Sequence, residues 1–470
     1  MKKYISGLSI LLIALAACNV SKNVGTPKTE LPDHFGNFTA TADTSSVADI
    51  PWRKFFTDPT LQKLIDSAIV KNYDMQLALK NIQASELLLK QVKWNNMPQI
   101  DLNVSANTSR PADNSLNGVA LTQYGIKARH IENYQADVSL SWEADIWGKI
   151  RNQSKSALAA LLQTAEARKL VQTSIVAGVS QGYFNLLMLD EQLAIAKRNV
   201  LLNDSTLRII QLEFNSGQVT SLAVQQAQAQ REAAAGLVPQ FEQNIALQEN
   251  ALQILAGKLP GKIERTASLN DIAFADNLSA GVPSAILERR PDVRTKELAL
   301  DIANANVGIT KSEMYPALRI TADGGVNSFK ASDWFNIPAS LFGIVGASVL
   351  QPLIDHKQLK TQFEVSKVNR EKAVIEFRQT VLNAVGEVSD AMVSIEKLKE
   401  QETIAAGRQR TLQQAIDNSN QLFKNGMANY LEVITAQSNV LQSELELASI
   451  KRSELAAVSQ LYQALGGGWQ

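Results

Sequence analysis

Phe214-Asn-Ser-Gly217-Gln-Val-Thr-Ser-Leu222-Ala-Val224-Gln-Gln-Ala227-Gln228 returns as Phe423-Lys-Asn-Gly426-Met-Ala-Asn-Tyr-Leu431-Glu-Val433-Ile-Thr-Ala436-Gln437, at a constant offset of 209. Phe, Gly, Leu, Val, Ala and Gln coincide, and the same offset pairs Leu252 with Leu461 and Gly257 with Gly466. A second register, with an offset of 218, pairs Asp74 with Asp292 and Pro98 with Pro316. Two registers make the chain a tandem duplication, with repeats over 52–270 and 280–470.

Each repeat carries the same order of patterns. A moderate helix is predicted over 73–96 and again over 292–313. Period-2 stretches follow. Ile100, Leu102, Val104 and Ala106 alternate with Asp101, Asn103, Ser105 and Asn107. Tyr134, Ala136, Val138, Leu140 and Trp142 alternate with Gln135, Asp137, Ser139, Ser141 and Glu143. Leu318, Ile320 and Ala322 alternate with Arg319, Thr321 and Asp323; a weaker fourth stretch runs over 341–351. Such alternation predicts strands with one apolar and one polar face. Segments 148–214 and 357–425 then contain no Pro, and Val179, Tyr183, Leu186 and Leu193 fit helical heptads. At 1.5 Å per residue, about 67 residues reach roughly 100 Å. Gly217 and Gly426 punctuate these helices. Thr220/Ser221 and Asn429 are candidate N-caps, with Glu432 completing a capping box, before returning helices over 221–257 and 430–465.

Four strands cannot close a barrel, since the smallest transmembrane barrels have eight. An open sheet edge in lipid leaves backbone groups unsatisfied. Strands of this size therefore call for an oligomer, and three copies give twelve strands. The expected fold is an α+β membrane protein: a twelve-stranded β-barrel, four strands per chain, with long helices. The Ala, Gln, Ser and Asn of those helices suit a solvent-lined helical wall. A soluble antiparallel sheet is the plainer reading of the strands alone.

The N-terminus points to export. Lys2 and Lys3 precede Ile5–Ala17, 13 uncharged residues, too short to span a bilayer. The run ends Leu15-Ala16-Ala17-Cys18, and Cys18 is the only cysteine. This resembles a bacterial lipobox, so 1–17 is read as a signal peptide and Cys18 as a lipid acceptor. Residues 18–51 read as a polar tether. Asn19 after the cysteine, where Asp resembles an inner-membrane retention signal, favours the outer membrane.

Lys+Arg and Asp+Glu are both 46, so the net charge is zero and no bulk positive charge holds nucleic acid. A single Cys excludes a disulfide framework. His34, His130 and His356 are too scattered for a histidine metal site. No Walker loop, Gly-x-Ser-x-Gly or His-Glu-x-x-His is present, so no catalytic residue and no cofactor is expected beyond the covalent lipid on Cys18.

Longer motifs make the resemblance specific. They are Trp52-Arg-Lys-Phe-Phe56-Thr-Asp58-Pro59-Thr-Leu61, Ser141-Trp142-Glu143-Ala-Asp145-Ile-Trp147-Gly148-Lys149, Arg289-Arg290-Pro291-Asp292-Val293, Tyr315-Pro316, Leu350-Gln351-Pro352-Leu353 and the terminal Leu465-Gly466-Gly467-Gly468-Trp469. The chain resembles the outer-membrane efflux protein family (TolC-like outer-membrane factors), lipoprotein branch, over essentially its whole mature length. That resemblance implies a homotrimer in the outer membrane, a trimeric β-barrel continued by a long α-helical barrel that forms a tunnel through the periplasm. It implies two partners: a periplasmic adaptor and an inner-membrane pump. The expected function is a passive exit duct for small molecules or metal ions. A duct for protein secretion and a lipid-anchored coiled-coil scaffold without a pore are the alternatives.

By the same resemblance the tips around Phe214, Gly217, Phe423 and Gly426 dock the adaptor. Family acidic positions six and nine residues past the second tip Gly fall on Glu432 and Thr435, the candidate pore constriction. Three Glu432 carboxylates near an axis would favour cations, although a helix-start Glu is also favoured by capping and the helix dipole. An acidic–basic lock found in some members would fall on Ala223 and Ala428, so it is absent. Short helices around Leu61–Ile69 and Pro283–Leu287 would form an equatorial belt. Arg289, Arg290 and Asp292 read as a structural helix start. Tyr134, Trp142 and Trp147 lie at strand ends, as interface aromatics or packing residues. Loops 108–133 and 327–340 would face outside.

Overall fold

The structure, a computed structural model, describes residues 46–123, 130–274, 280–281 and 283–470. The signal peptide, Cys18 and the tether up to residue 45 lie outside the described residues. In chain order the helices and strands are α1 (Trp52–Phe55), α2 (Pro59–Lys71), α3 (Tyr73–Trp94), β1 (Gln99–Ser109), α4 (Leu116–Gln123), β2 (Ile131–Glu143), α5 (Lys149–Asn215) and α6 (Ser221–Leu255) in the first half. The second half has α7 (Ile286–Arg289), α8 (Pro291–Ser312), β3 (Ala317–Ser328), β4 (Leu341–Leu350), α9 (Gln358–Lys424) and α10 (Tyr430–Ala464). Helices α3 and α8 have 22 residues each, α5 and α9 have 67, and α6 and α10 have 35. Equal lengths place the offsets of 218 and 209 on whole elements.

The chain forms two compact units, and each takes residues from both repeats. The first includes 84–162 and 298–375 and holds one antiparallel sheet in the order β1-β2-β3-β4. Its register puts Ile100, Leu140, Ala322 and Val345 in one row, and Val104, Ala136, Val326 and Leu341 in another. These rows make one apolar face. The other face carries Asp101, Ser139 and Asp323 in one row and Asn103, Asp137 and Gly325 in the next. The weak alternation of β4 has a local cause: Phe342 and Ile344 stand on the polar face, opposite Gly325 and Asp323.

The strand ends are fixed by aromatic residues. The Trp142 indole donates to the Asn96 carbonyl at 3.0 Å, and that of Trp147 to the Pro316 carbonyl at 2.7 Å. The Trp147 ring stacks on Tyr315. Tyr134 donates to Glu132 and lies against Trp334. The 108–133 stretch, read from sequence as a plain loop, contains α4. That segment, Leu-Asn-Gly-Val-Ala-Leu-Thr-Gln, is only eight residues long and lacks a 3.6-residue apolar stripe.

The second unit includes 46–83, 163–297 and 376–470. Its core is built on α5, where Val179, Tyr183 and Leu186 are buried. Phe55, Phe56, Phe184, Phe274 and Tyr462 form an aromatic cluster, with Phe55 stacked on Tyr462 at 4.1 Å. Residues 46–51, assigned to the tether by sequence, take part in this packing. Ser46 and Asp49 form a capping box, and the Ile50 carbonyl accepts from the Tyr462 hydroxyl at 2.7 Å. Burial pushes that hydroxyl up to about 12.

The Arg-Arg-Pro-Asp and Gly-Gly-Gly-Trp motifs meet here. Arg290 is buried; its guanidinium donates to Asp292, to Glu387 and to the Ala464 carbonyl. A side chain at Gly466 would strike the Arg289 carbonyl at 2.8 Å, and one at Gly467 the Tyr462 ring at 2.5 Å. The Trp469 indole donates to the Arg289 carbonyl, and Lys169 lies over its ring. Both motifs are thus packing devices that seat the chain end. On another face of the unit Glu454 of α10 meets Glu402 of α9, beside Lys399 and Lys451. Desolvation, and then the Glu402 carboxyl, push Glu454 up to about 7.

Candidate functional site

The hairpin tips are built by local backbone chemistry. At the end of α5 the Gly217 amide bonds the Phe214 carbonyl and the Gln218 amide bonds the Glu213 carbonyl, each at 2.9 Å. At the end of α9 the Gly426 amide bonds the Phe423 carbonyl at 3.0 Å and the Met427 amide bonds the Leu422 carbonyl at 2.9 Å. Both are Schellman motifs, which need a left-handed residue. Gly217 has φ of 75° and Gly426 of 70°, and a Cβ at either would meet nothing within 4 Å. Backbone angle, not crowding, requires glycine here.

The return differs between tips. Asn429 accepts from the Leu431 and Glu432 amides, and the Glu432 carboxylate accepts from the Asn429 amide at 3.1 Å. That is the capping box read from sequence. Thr220 occupies the matching position of the first tip, but its side chain makes no capping bond. The expected Thr220/Ser221 cap is therefore not formed through a side chain. The Phe pair also diverges: Phe423 is buried and Phe214 is exposed.

Beneath the tips lies a small apolar core of Ile210, Ala223, Ala227, Phe423, Val433 and Ile434. Ala223, where the missing acidic partner would stand, is part of it, and Ala428 packs against it. Within the chain the hairpins are joined beneath the tips by apolar contact and by polar links, among them Tyr430 hydroxyl to Gln226 at 2.8 Å and the Gln437 amide to the Thr206 hydroxyl at 2.6 Å. Glu432 and Thr435 are both exposed, three residues apart on α10, and so share one face.

On the sheet, register reveals an acidic group that alternation alone did not single out. Asp101 and Asp323 flank Ser139 in one row, and Asp137 stands in the next. Asp137 is buried and accepts from Gln135 at 2.8 Å and Asn103 at 3.4 Å. The signal was present as three Asp on polar-phase positions, but only strand pairing makes them neighbours. Among the described residues no group of three or more His, Cys, Asp or Glu is arranged to hold a metal ion. No helix among them is long and apolar enough to cross a membrane.

The model of the family described as "Outer membrane efflux protein" matches residues 64–258 and 282–467. The chain is 26% identical over 463 residues to the cation efflux system protein CusC of Escherichia coli, covering 97% of each chain. It is 27% identical over 480 residues to the toluene efflux pump outer membrane protein TtgC of Pseudomonas putida, covering 100% of this chain and 96% of the relative. Its fold is similar to the open state of the Neisseria gonorrhoeae MtrE outer membrane channel, with a TM-score of 0.84, 24% identity, and coverage of 96% of this chain and 99% of that one.

Proposed function

The chain belongs to the outer membrane efflux protein family and is an outer-membrane efflux channel; we propose that three copies assemble into one passive duct. The observation that carries this reading is the sheet. One face is apolar, the other polar, and β1 and β4 are both edges. Lipid covers the first face, water the second, and each β1 edge pairs with the β4 edge of the next copy, giving twelve strands without an open edge. The long helices then continue the duct on the periplasmic side.

The remaining parts of the proposal rest on the lipobox and on the family resemblance. Cys18 carries the lipid anchor. The tips around Phe214, Gly217, Phe423 and Gly426 take a periplasmic adaptor, which joins the duct to an inner-membrane pump. Glu432 and Thr435 line the narrowest ring, where three carboxylates favour cations. Asp101, Asp137 and Asp323 add the same sign of charge along the polar face of the barrel. Small molecules or metal ions pass through, driven by the pump, and no residue of the duct does chemistry. The purified chain, placed in a planar bilayer, should conduct ions with cation preference. Absence of conductance from membrane-inserted protein would contradict the duct.

A further inference from the structure

At the foot of β1, the end of α3 and the start of α5 enclose a cleft of about 650 Å³. The Asn95 amide donates to Gln153 at 3.4 Å and ties the two segments together. Lys93 and Asn96 line the cleft from one side, and Asp145, Arg151 and Lys155 from the other. Three cations thus stand with one carboxylate. That carboxylate is already engaged, because it caps α5, accepting from the Ile150 amide at 2.9 Å and the Arg151 amide at 3.0 Å. It also accepts from the Arg151 Nε at 3.3 Å, and the Arg151 side chain stays 59% exposed. The cleft keeps an excess of positive charge.

Two neighbouring stretches set its depth. Trp142 stands in the apolar phase of β2, after Val138 and Leu140, and its indole donates to the carbonyl of Asn96, a cleft residue. Trp94 and Met97, beside Lys93 and Asn96 in the chain, are 69% and 57% exposed. Ile100 follows, the first residue of β1 on the apolar face. Cations, then exposed aromatic residues, then an apolar band is the order met on passing from water into a bilayer. With the apolar face in lipid, the cleft lies at headgroup depth.

The duplication keeps the cations. An offset of 218 takes Lys93 to Lys311 of α8, and an offset of 209 takes Arg151 to Lys360 of α9. The cap is kept as well: Asp355 accepts from the amide of Leu359, the repeat mate of Ile150, at 2.8 Å. Lys155 has no such counterpart, since its mate is Glu364. A helix cap needs the aspartate but not a cation on each neighbouring helix. An anionic surface at this level gives both repeats a reason to hold them.

We propose that the cleft binds the phosphate of an anionic phospholipid of the periplasmic leaflet, with Lys93 on one side and Arg151 and Lys155 on the other. The planar guanidinium of Arg151 suits two phosphate oxygens, and the lysines add point charges. The acyl chains run past Trp142 onto the apolar face. Basic pockets beside membrane-spanning segments bind phospholipid headgroups in this way. Three copies then carry a collar of bound lipid at the foot of the barrel. The inference rests on the proposed barrel, with its apolar face in lipid.

Native mass spectrometry of the full chain in mild detergent, titrated with phosphatidylglycerol or phosphatidylcholine, tests it. Phosphatidylglycerol should bind about tenfold more tightly, each cation contributing about fivefold against the one carboxylate. Lys93→Gln with Arg151→Gln should remove the preference, Arg151→Lys should retain it, and Lys80→Gln, on α3 outside the cleft, should leave it unchanged. Lys93→Glu leaves Arg151 and the α5 cap in place and should also abolish the preference, which covers a double variant that fails to fold. Equal binding of the two lipids, or a preference that survives in a folded double variant or in Lys93→Glu, would overturn the site and leave the duct standing. Excess inorganic phosphate should not displace the lipid; displacement would make this a free-anion site and overturn the lipid assignment. A chain that never enters the membrane would remove both the site and the duct.

Discussion

Asn72 and Arg290 hold the same place in the two repeats and do the same task. The Asn72 amide donates to the Leu255 carbonyl at 3.0 Å, and the Arg290 guanidinium donates to the Ala464 carbonyl at 2.9 Å. Leu255 and Ala464 are the last residues of α6 and α10, and they too are repeat mates. The duplication thus extends to a single hydrogen bond, made by different chemistry. Asn72 also caps α3, accepting from the Asp74 and Met75 amides. Arg290 instead spends its other donors on Asp292 and Glu387.

Removing Arg290 should therefore cost more than removing Asn72. Arg290→Met leaves two carboxylates and a helix-end carbonyl without their partner, a loss of about 3 kcal/mol. Asn72→Ala loses one cap and one helix-end bond, about 1 to 2 kcal/mol. Apparent unfolding temperatures in mild detergent should fall in that order.

The four helix-end glycines should separate into two classes. Gly217→Ala and Gly426→Ala meet no steric obstacle and should cost about 1 kcal/mol each, from the left-handed backbone alone. Gly257→Ala adds a clash, because its Cβ would sit 2.4 Å from the Lys71 carbonyl, and should cost about 3 kcal/mol. Gly466→Ala, against the Arg289 carbonyl, belongs with Gly257. Thermal unfolding of the four variants side by side checks the division.

Stability should depend on pH through Glu454. Its folded value, about 7, lies above that of an ordinary Glu. The neutral form is thus favoured in the fold, and this contribution is full below about pH 4.5 and lost as pH rises through about 7. Glu402, Lys399 and Lys451 face the same spot. Glu454→Gln should flatten the fall in unfolding temperature between pH 5 and 8 and raise it at pH 8. An unchanged profile would remove Glu454 as its source.

Glu432 caps α10 and is the charge proposed for the constriction, and one variant separates the two. Gln at this position retains the reciprocal bond to Asn429. Glu432→Gln should leave unfolding unchanged within about 0.5 kcal/mol while shifting the reversal potential towards lower cation preference. An unchanged reversal potential would leave it only the capping role.

Much of the architecture was legible because it depends on periodicity. Alternation at Ile100–Asn107 and Tyr134–Glu143 placed β1 and β2, and long Pro-free segments, with heptad spacing in the first, placed α5 and α9. What escaped depends on contacts between distant residues. Gly467 stands in a terminal motif whose physical reason, the Tyr462 ring against it, shows only in the fold. Asp101, Asp137 and Asp323 become one group only through strand register. Thr220 had the chemistry of a cap, but its side chain does not make the bond. The roles proposed for Glu432, Thr435 and the tips rest on resemblance, because function of that kind arises between copies and partners, not within one chain.

The central claim is that one chain is a third of the working object. Its most direct test is the mass of the full-length protein extracted from membranes in mild detergent, corrected for bound detergent. The account predicts a three-chain particle that heat converts to single chains. A particle of one chain, released from the membrane by Cys18→Ala, which removes the proposed lipid acceptor, would contradict it.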